Sequence, residues 1–475
     1  MNKIKPKKTL LKKCSWIATM NPDGMIYNNY DLLIEGNMIK SIQKDCREKV
    51  DEIIEGSGKL VIPGLVNTHH HLFQSLTRCV PRVENAGLLE WVMNLCEIWR
   101  ELTPEAIYTS TLLGLGELML TGCTTTTDML YMYPKNTDSS HFIDQQFKAA
   151  GDIGMRFMPC RGSLSCGVSD GAIPPDDIVQ DEETILEDCE RLIEKYHDPS
   201  PFAMTRMAIA PSSFFCTTPR FMKRSARSAR KYGVRLHTHL AETSDEEEFC
   251  REKHGVRPFE LMESIDWLGE DVWFAHCVHL NGREIRKMAE TGTGMSHCPS
   301  SNMRLGSGIA PIPEMLNDGV NVSLGVDGAA SNDTSDMIGE MRTGLLLHRV
   351  NTGPDSLDTR EIIRMATTGG AKVLGFDSVG SLEPGKAADV VMINMNQLPY
   401  AGALHDPLAA IVLCGASHIV DTTIINGEVT VRQGKLTKIC EEDIVKNANR
   451  IAGEMMERAI KRTGINFLEK PMLIA

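Results

Sequence analysis

The sequence has no C-x-x-C pair, although it carries 14 cysteines in 475 residues. Neither a zinc ribbon nor a thioredoxin-like redox pair is therefore expected. No apolar run reaches the roughly 18 residues that a membrane-spanning helix needs. The opening stretch, MNKIKPKKTLLKK, lacks the apolar core of a secretory signal and the arginine bias of a transit peptide, and reads as a solvated tail. These absences point to a cytoplasmic protein whose cysteines are buried reduced thiols, several of them within strand-like runs such as MRFMPC and FAHC. Positive charge is not in excess either. The formal net charge is -13, which argues against a nucleic-acid groove or a polybasic membrane surface, so no partner of either kind is expected. Low-complexity tracts and repeats at solenoid periods are also missing.

What is present falls into distinct rhythms. Residues 1–60 alternate short β-type runs (SWIATM, YDLLIEG, MIKSIQ, KLVIPG) with glycine, asparagine and aspartate, as the first part of a small β domain would. From residue 61 to 378, eight apolar strand-like runs end in polar clusters and are separated by helix-like stretches. Their ends read GLVNTHHH, GCTTTTDM, RFMPCRGS, RMAIAPSS, VRLHTHLAE, VWFAHCV, GMSHCPSSN and VSLGVDGAASND. One intervening helix is plain, with Thr103 as N-cap and Pro104 in its first turn. Eight such units predict an α/β fold, a TIM-like (β/α)8 barrel whose strands are buried on both faces. Residues 379–440 return to β rhythm, with a hairpin signal at Asn426-Gly427, and 441–475 read as helix. The simplest arrangement is a small β-sandwich domain built from both chain ends, with the barrel inserted between them.

Polar residues collect at the C-terminal ends of the barrel strands, where barrel active sites lie. His69 and His71 end the first strand, His237, His239 and Glu242 the fifth, His276 the sixth, His297 the seventh and Asp327 the eighth. Alternation along a strand puts His69 and His71 on one face and turns His70 away, although spacing alone leaves open which two of the three act. Several histidines with one carboxylate suit zinc or iron better than magnesium or calcium.

On these motifs, with LEPGKAADVV near the end, the chain resembles the amidohydrolase superfamily, within it the branch of cytosine and guanine deaminases and chlorotriazine hydrolases. The resemblance runs from about Leu60 to Lys435. It implies one divalent metal ion per subunit, zinc before iron, held by His69, His71, His239 and Asp327. It implies that Glu242, His276 and Asp327 are catalytic. It implies hydrolytic deamination of a small heteroaromatic free base, with 8-oxoguanine first, and a homo-oligomer. Triazines, pterins, guanine and isocytosine are the alternatives; a non-catalytic barrel scaffold is disfavoured, because all four ligands, Glu242 and His276 are present. His237 is given a supporting role, and His297 a share in shaping the pocket.

Substrate contacts are expected from Gln74, whose carboxamide can pair with a base edge. They are also expected from Trp99 or Trp91, which could stack on a flat ring, and from Arg161 at the end of the third strand. Relatives acting on adenosine-type thioethers carry a histidine after the fourth strand, where this chain has Ser212, which favours a free base over a nucleoside. No lysine stands on that strand, so a binuclear carbamyl-lysine centre is not expected. The H-x-E and P-C-x-x-C pattern of the helical cytidine deaminases is absent too.

Overall fold

A computed structural model describes residues 5–415 and 419–470. Eight parallel strands form one sheet in chain order: β1 (Leu65–Asn67), β2 (Cys123–Leu130), β3 (Arg156–Ser163), β4 (Ala208–Pro211), β5 (Arg235–Leu240), β6 (Val272–His276), β7 (Gly294–His297) and β8 (Asn321–Leu324). Backbone hydrogen bonds from Thr68 to Leu324 (3.2 Å) and from Asp327 to His69 (3.1 Å) join the first and last strands into a barrel. The strands are buried along nearly their whole length, as the continuous apolar runs require.

Four helices matter for the site and its setting: α1 (Leu88–Trp99), α2 (Pro104–Leu120), α3 (Ser244–His254) and α4 (Glu441–Thr463). α2 begins as its sequence predicts, with the Thr103 hydroxyl accepting from the Ala106 N–H and Pro104 in the first turn. α4 lies against the start of this layer, where Arg458 and Arg462 pair with Glu101, and Arg462 also with Glu97. No helix among the described residues is long and apolar enough to cross a membrane.

Both chain ends build a second sheet of nine strands. Lys59–Pro63, from the N-terminal part, pairs antiparallel with Val390–Asn394, from the C-terminal part, and so stitches the two halves together. The sheet encloses its own small core, in which Leu11, Ile17, Leu32, Val61, Val390 and Ile424 meet. The expected hairpin at Asn426-Gly427 joins Thr422–Ile425 to Glu428–Arg432. The lysine-rich opening is not a free tail along its whole length. Lys8–Ala18 is a strand of this sheet, because Leu10 and Leu11 are buried while Lys8 pairs with Glu48 at the surface. All 14 cysteines are free thiols, and most are buried.

Candidate active site

The ends of β1, β5, β6 and β8 bring five side chains to the floor of one cavity. His69 Nε2 and His71 Nε2 stand 3.2 and 3.4 Å from Asp327 Oδ1. His71 Nε2 and His239 Nε2 are 3.1 Å apart. His276 Nε2 lies 3.7 Å from Glu242 and 4.0 Å from Asp327 Oδ2. Two of these residues, His276 (φ 72°) and Asp327 (φ 63°), hold left-handed backbone that only glycine adopts freely, so local strain is concentrated where the strands present their side chains.

Hydrogen bonds fix which ring nitrogen carries the proton. The Met129 carbonyl can only accept, so His71 Nδ1–H donates to it (2.8 Å). In the same way His239 Nδ1–H donates to the Ser212 carbonyl (2.8 Å). His237 Nδ1–H donates to the Trp273 carbonyl (3.0 Å), which leaves His237 Nε2 as an acceptor for His69 Nδ1–H (2.8 Å). The Nε2 atoms of His69, His71 and His239 are therefore bare lone pairs. His69 Nε2 is buried without any hydrogen-bond partner. Two facing lone pairs at 3.1 Å repel unless a cation lies between them.

Charge completes the test of fit. Burial lowers the imidazole pKa values, His71 to about 4 and His69 well below the ordinary range, so all are neutral at pH 7. Burial alone would raise Asp327, yet the close approach of His69, with His71 and His276 nearby, holds it well below the usual carboxylate range. Three neutral imidazoles, each oriented through its second nitrogen, and one carboxylate are the donor set of a zinc- or iron-type site. The candidate ligand atoms of His69, His71 and His239, and those of His69, His276 and Asp327, lie within 4.8 Å of one another.

Above this floor is a cavity of about 250 Å³. Its walls are mostly apolar, with Leu88, Trp91 and Val92 from α1 facing Leu164, Ile173 and Phe215. Polar groups are few and convergent. Gln74 Nε2 donates to the Tyr131 hydroxyl (3.3 Å), while its buried Oε1 has no partner. Gly328 closes over this side chain, and a Cβ there would stand 1.9 Å from Gln74 Oε1. Ser331 donates to Asp327 Oδ2 (3.3 Å). Glu242 is buried beside the floor, and desolvation, with Asp327 nearby, pushes its carboxyl up to about 8.

Other expected residues are placed elsewhere. His70 points away, as strand alternation predicts, to the Ser335 hydroxyl (3.0 Å). His297 pairs with His348 (3.0 Å) and does not line the cavity. Trp99 does not line it either. It stands behind Trp91, edge-on to Phe73, with its indole N–H donated to Thr77. The indole that reaches the cavity is that of Trp91. Arg161 is also corrected. It points outward to the helical layer, where Asp188 (2.6 Å) and Gln180 (2.8 Å) occupy its guanidinium over the Tyr133 ring. Tyr131, Glu246 and Ser331, which line the cavity, and Asn302, whose Oδ1 accepts from His276 Nδ1–H (2.9 Å), are polar groups of the site that the sequence did not single out. Each sits beyond a strand end in a loop or helix turn whose path no local pattern fixes.

A closed parallel barrel with histidines and an aspartate converging at its C-terminal mouth defines a hydrolase of the metal-centre type. The chain belongs to the amidohydrolase family, which it matches over residues 60–430. It is 45% identical over 380 residues to the 8-oxoguanine deaminase of Pseudomonas aeruginosa, covering 80% of this chain and 84% of the relative. It is 34% identical over 473 residues to hydroxydechloroatrazine ethylaminohydrolase of Pseudomonas sp., covering 94% and 97%. The fold matches a crystal structure of atrazine chlorohydrolase from Arthrobacter aurescens complexed with zinc, with TM-score 0.90, 31% identity, and 94% and 100% of the two chains covered. This chain is thus a hydrolase acting on carbon–nitrogen bonds, akin to deaminases and triazine hydrolases.

Proposed function

We propose that this chain is a metal-dependent deaminase of an amino-substituted heteroaromatic free base, 8-oxoguanine foremost. The observation that carries this reading is the buried Glu242 carboxyl, raised to about 8 beside the metal-type donor set. A carboxyl that stays protonated at neutral pH serves as a general acid. An aromatic ring carbon bearing an amino group needs such an acid, because it resists attack until its neighbouring ring nitrogen is protonated. The similarity to an 8-oxoguanine deaminase supports the choice of ring.

His69, His71, His239 and Asp327 would hold one divalent ion, zinc in the first instance, which when bound would lower the pKa of water from about 15.7 toward about 7. The protein's own groups do the rest. Glu242 donates its proton to the ring nitrogen next to the amino-bearing carbon and so draws electrons from that carbon. Asp327 accepts the proton that the attacking water gives up, and delivers it to the departing amino group. His276, between Glu242 and Asp327, steadies the oxygen as it joins the ring carbon. The apolar walls and Trp91 hold a flat ring and keep out bulk water. As the amine leaves as ammonia, the hydroxyl now on the carbon returns its remaining proton to Glu242, which restores the acid; the carbon ends as a carbonyl, so 8-oxoguanine gives urate.

Ammonia release from 8-oxoguanine, guanine, isocytosine and hydroxytriazines tests the reading directly. The expected result is fastest turnover of 8-oxoguanine. Rapid amine release from hydroxytriazines, with none from 8-oxoguanine, would replace it with the activity of the ethylaminohydrolase relative.

A further inference from the structure

Glu246 belongs to the cavity wall but is not needed for the chemistry above. It lies in the first turn of α3, four residues after Glu242, and is only 2% exposed. One of its oxygens, Oε2, accepts the backbone N–H of Glu242 (3.3 Å). The other, Oε1, is buried with no hydrogen-bond partner. A buried polar atom left without a partner is destabilising. Glu246 is among the residues that line the cavity, so a small turn of its side chain lets a ligand there supply the missing partner.

We propose that Glu246 is a specificity-determining contact: its free Oε1 hydroxyl donates a hydrogen bond to an acceptor on the substrate edge that Glu242 faces, and so selects rings that carry an oxygen there. Two features set the polarity of this contact. Oε2 is engaged as an acceptor, so a proton on this carboxyl resides on Oε1. Burial, with Glu242 close by, pushes the carboxyl up to about 8, so that proton is present at neutral pH, although the backbone amides of Glu242 and Ala241 moderate the rise. The ligand must then supply an acceptor. This rests on the deaminase reading, in which Glu242 protonates the ring nitrogen beside the amino-bearing carbon. For a purine carrying that amino group at C2, the nitrogen with a free lone pair is N3. Continuing along the same edge from N3 leads past N9 to C8. An oxygen on C8 is the acceptor an 8-oxopurine offers there, and guanine has none.

The test separates recognition from turnover by using rings with no amino group to lose. Equilibrium binding of 8-oxohypoxanthine and of hypoxanthine is measured on the metal-loaded enzyme. The wild type is expected to favour the oxo ring by about tenfold, the equivalent of one hydrogen bond. Glu246→Met is expected to abolish that preference, weakening the oxo ring by about tenfold relative to hypoxanthine. Glu246→Gln, whose amide can still donate to the ring and accept from Glu242 N–H, is expected to keep it. If Glu246→Met does not fold, Glu246→Asp withdraws the acid by one methylene and is expected to give the same loss. A wild type without preference, or a Met or Asp variant that retains it, overturns the proposal, as does an equal loss on both rings. Failure of the deaminase reading registers separately, as absence of ammonia release from 8-oxoguanine by the wild type.

Discussion

Glu242 and Asp327 face the same cavity and are held in opposite protonation states. The imidazoles around Asp327 keep it ionised, whereas burial keeps a proton on Glu242 up to about pH 8. This division is what an acid and a base acting in one turnover require. It also gives the pH dependence a sign. The acid form of Glu242 predominates below about 8 and is lost above it, so kcat/KM is expected to fall on the alkaline side with Glu242 as the source of that limb. Glu242→Gln keeps the shape and cannot give up a proton. It is expected to lower kcat by about 10²–10⁴ and to remove the alkaline limb from the residual activity. An unchanged limb in the variant would assign it to another group. At this scale the sequence was most legible for residues whose spacing is set by a strand. His69 and His71 share a face because the backbone just past β1 stays extended, with the Asp327 and Met129 N–H groups donating to the His69 and His70 carbonyls, while Tyr131 and Glu246 follow strands whose onward path it does not fix.

The ends of β1 and β2 act as one unit in placing the histidine triplet. Asp128 Oδ1 accepts the Leu72 N–H (2.5 Å), Oδ2 accepts from Gln146 Nε2 (2.7 Å), and Met129 N–H donates to the His70 carbonyl (2.8 Å). The run TTTTD was visible in the sequence as a strand end, but its task of gripping the backbone just after His71 was not. Trp99 and Arg161 show the same limit. Eight residues along α1 turn Trp99 about 80° from Trp91 at ~100° per residue, enough to put it behind the wall. Arg161 sits on the helix-facing side of β3. Burial raises Asp128 to about 7, above its unfolded value of roughly 3.9. The folded state therefore binds the extra proton in that window. The stability tied to it is fully present below about pH 4 and is lost as pH rises through about 7. Asp128→Asn removes the titration and keeps the acceptor for Leu72. Gln146 Oε1, which has no partner, can turn to accept from the new amide. The expected result is a flatter dependence of Tm on pH than in the wild type, whereas Asp128→Ala should cost about 1–3 kcal/mol at every pH. A wild-type slope in the Asn variant would show that the titration lies elsewhere.

The barrel and the terminal sheet are held together by a buried ion pair that spans 233 residues of sequence. Arg156 stands at the start of β3, at the opposite end of the barrel strands from the cavity. Its guanidinium meets Asp389 in two contacts of 3.1 and 2.9 Å, and neither side chain is exposed. Arg156 also donates to the Phe202 carbonyl (2.9 Å), and the Asn426 N–H donates to Asp389 (2.8 Å), so the pair ties the barrel to the start of Val390–Asn394 and to the hairpin at Asn426-Gly427. No periodicity or motif marks it, because its partners become neighbours only when the two sheets are in place. Removing one partner leaves a charge buried and unpaired, which costs about 3–5 kcal/mol, while removing both removes that penalty. Arg156→Met and Asp389→Asn are each expected to lower unfolding stability by that amount. The double variant is expected to lose clearly less than the sum of the two, the signature of a coupled pair in a double-mutant cycle. Turnover per folded molecule should stay at the wild-type level in all three, since the pair touches nothing at the mouth of the barrel. Strictly additive losses in chemical denaturation would mean that each side chain acts through its own backbone contacts. The two domains would then be joined by apolar packing and by hydrogen bonds such as those from Thr423 and Val420 to the Met119 and Leu120 carbonyls of α2.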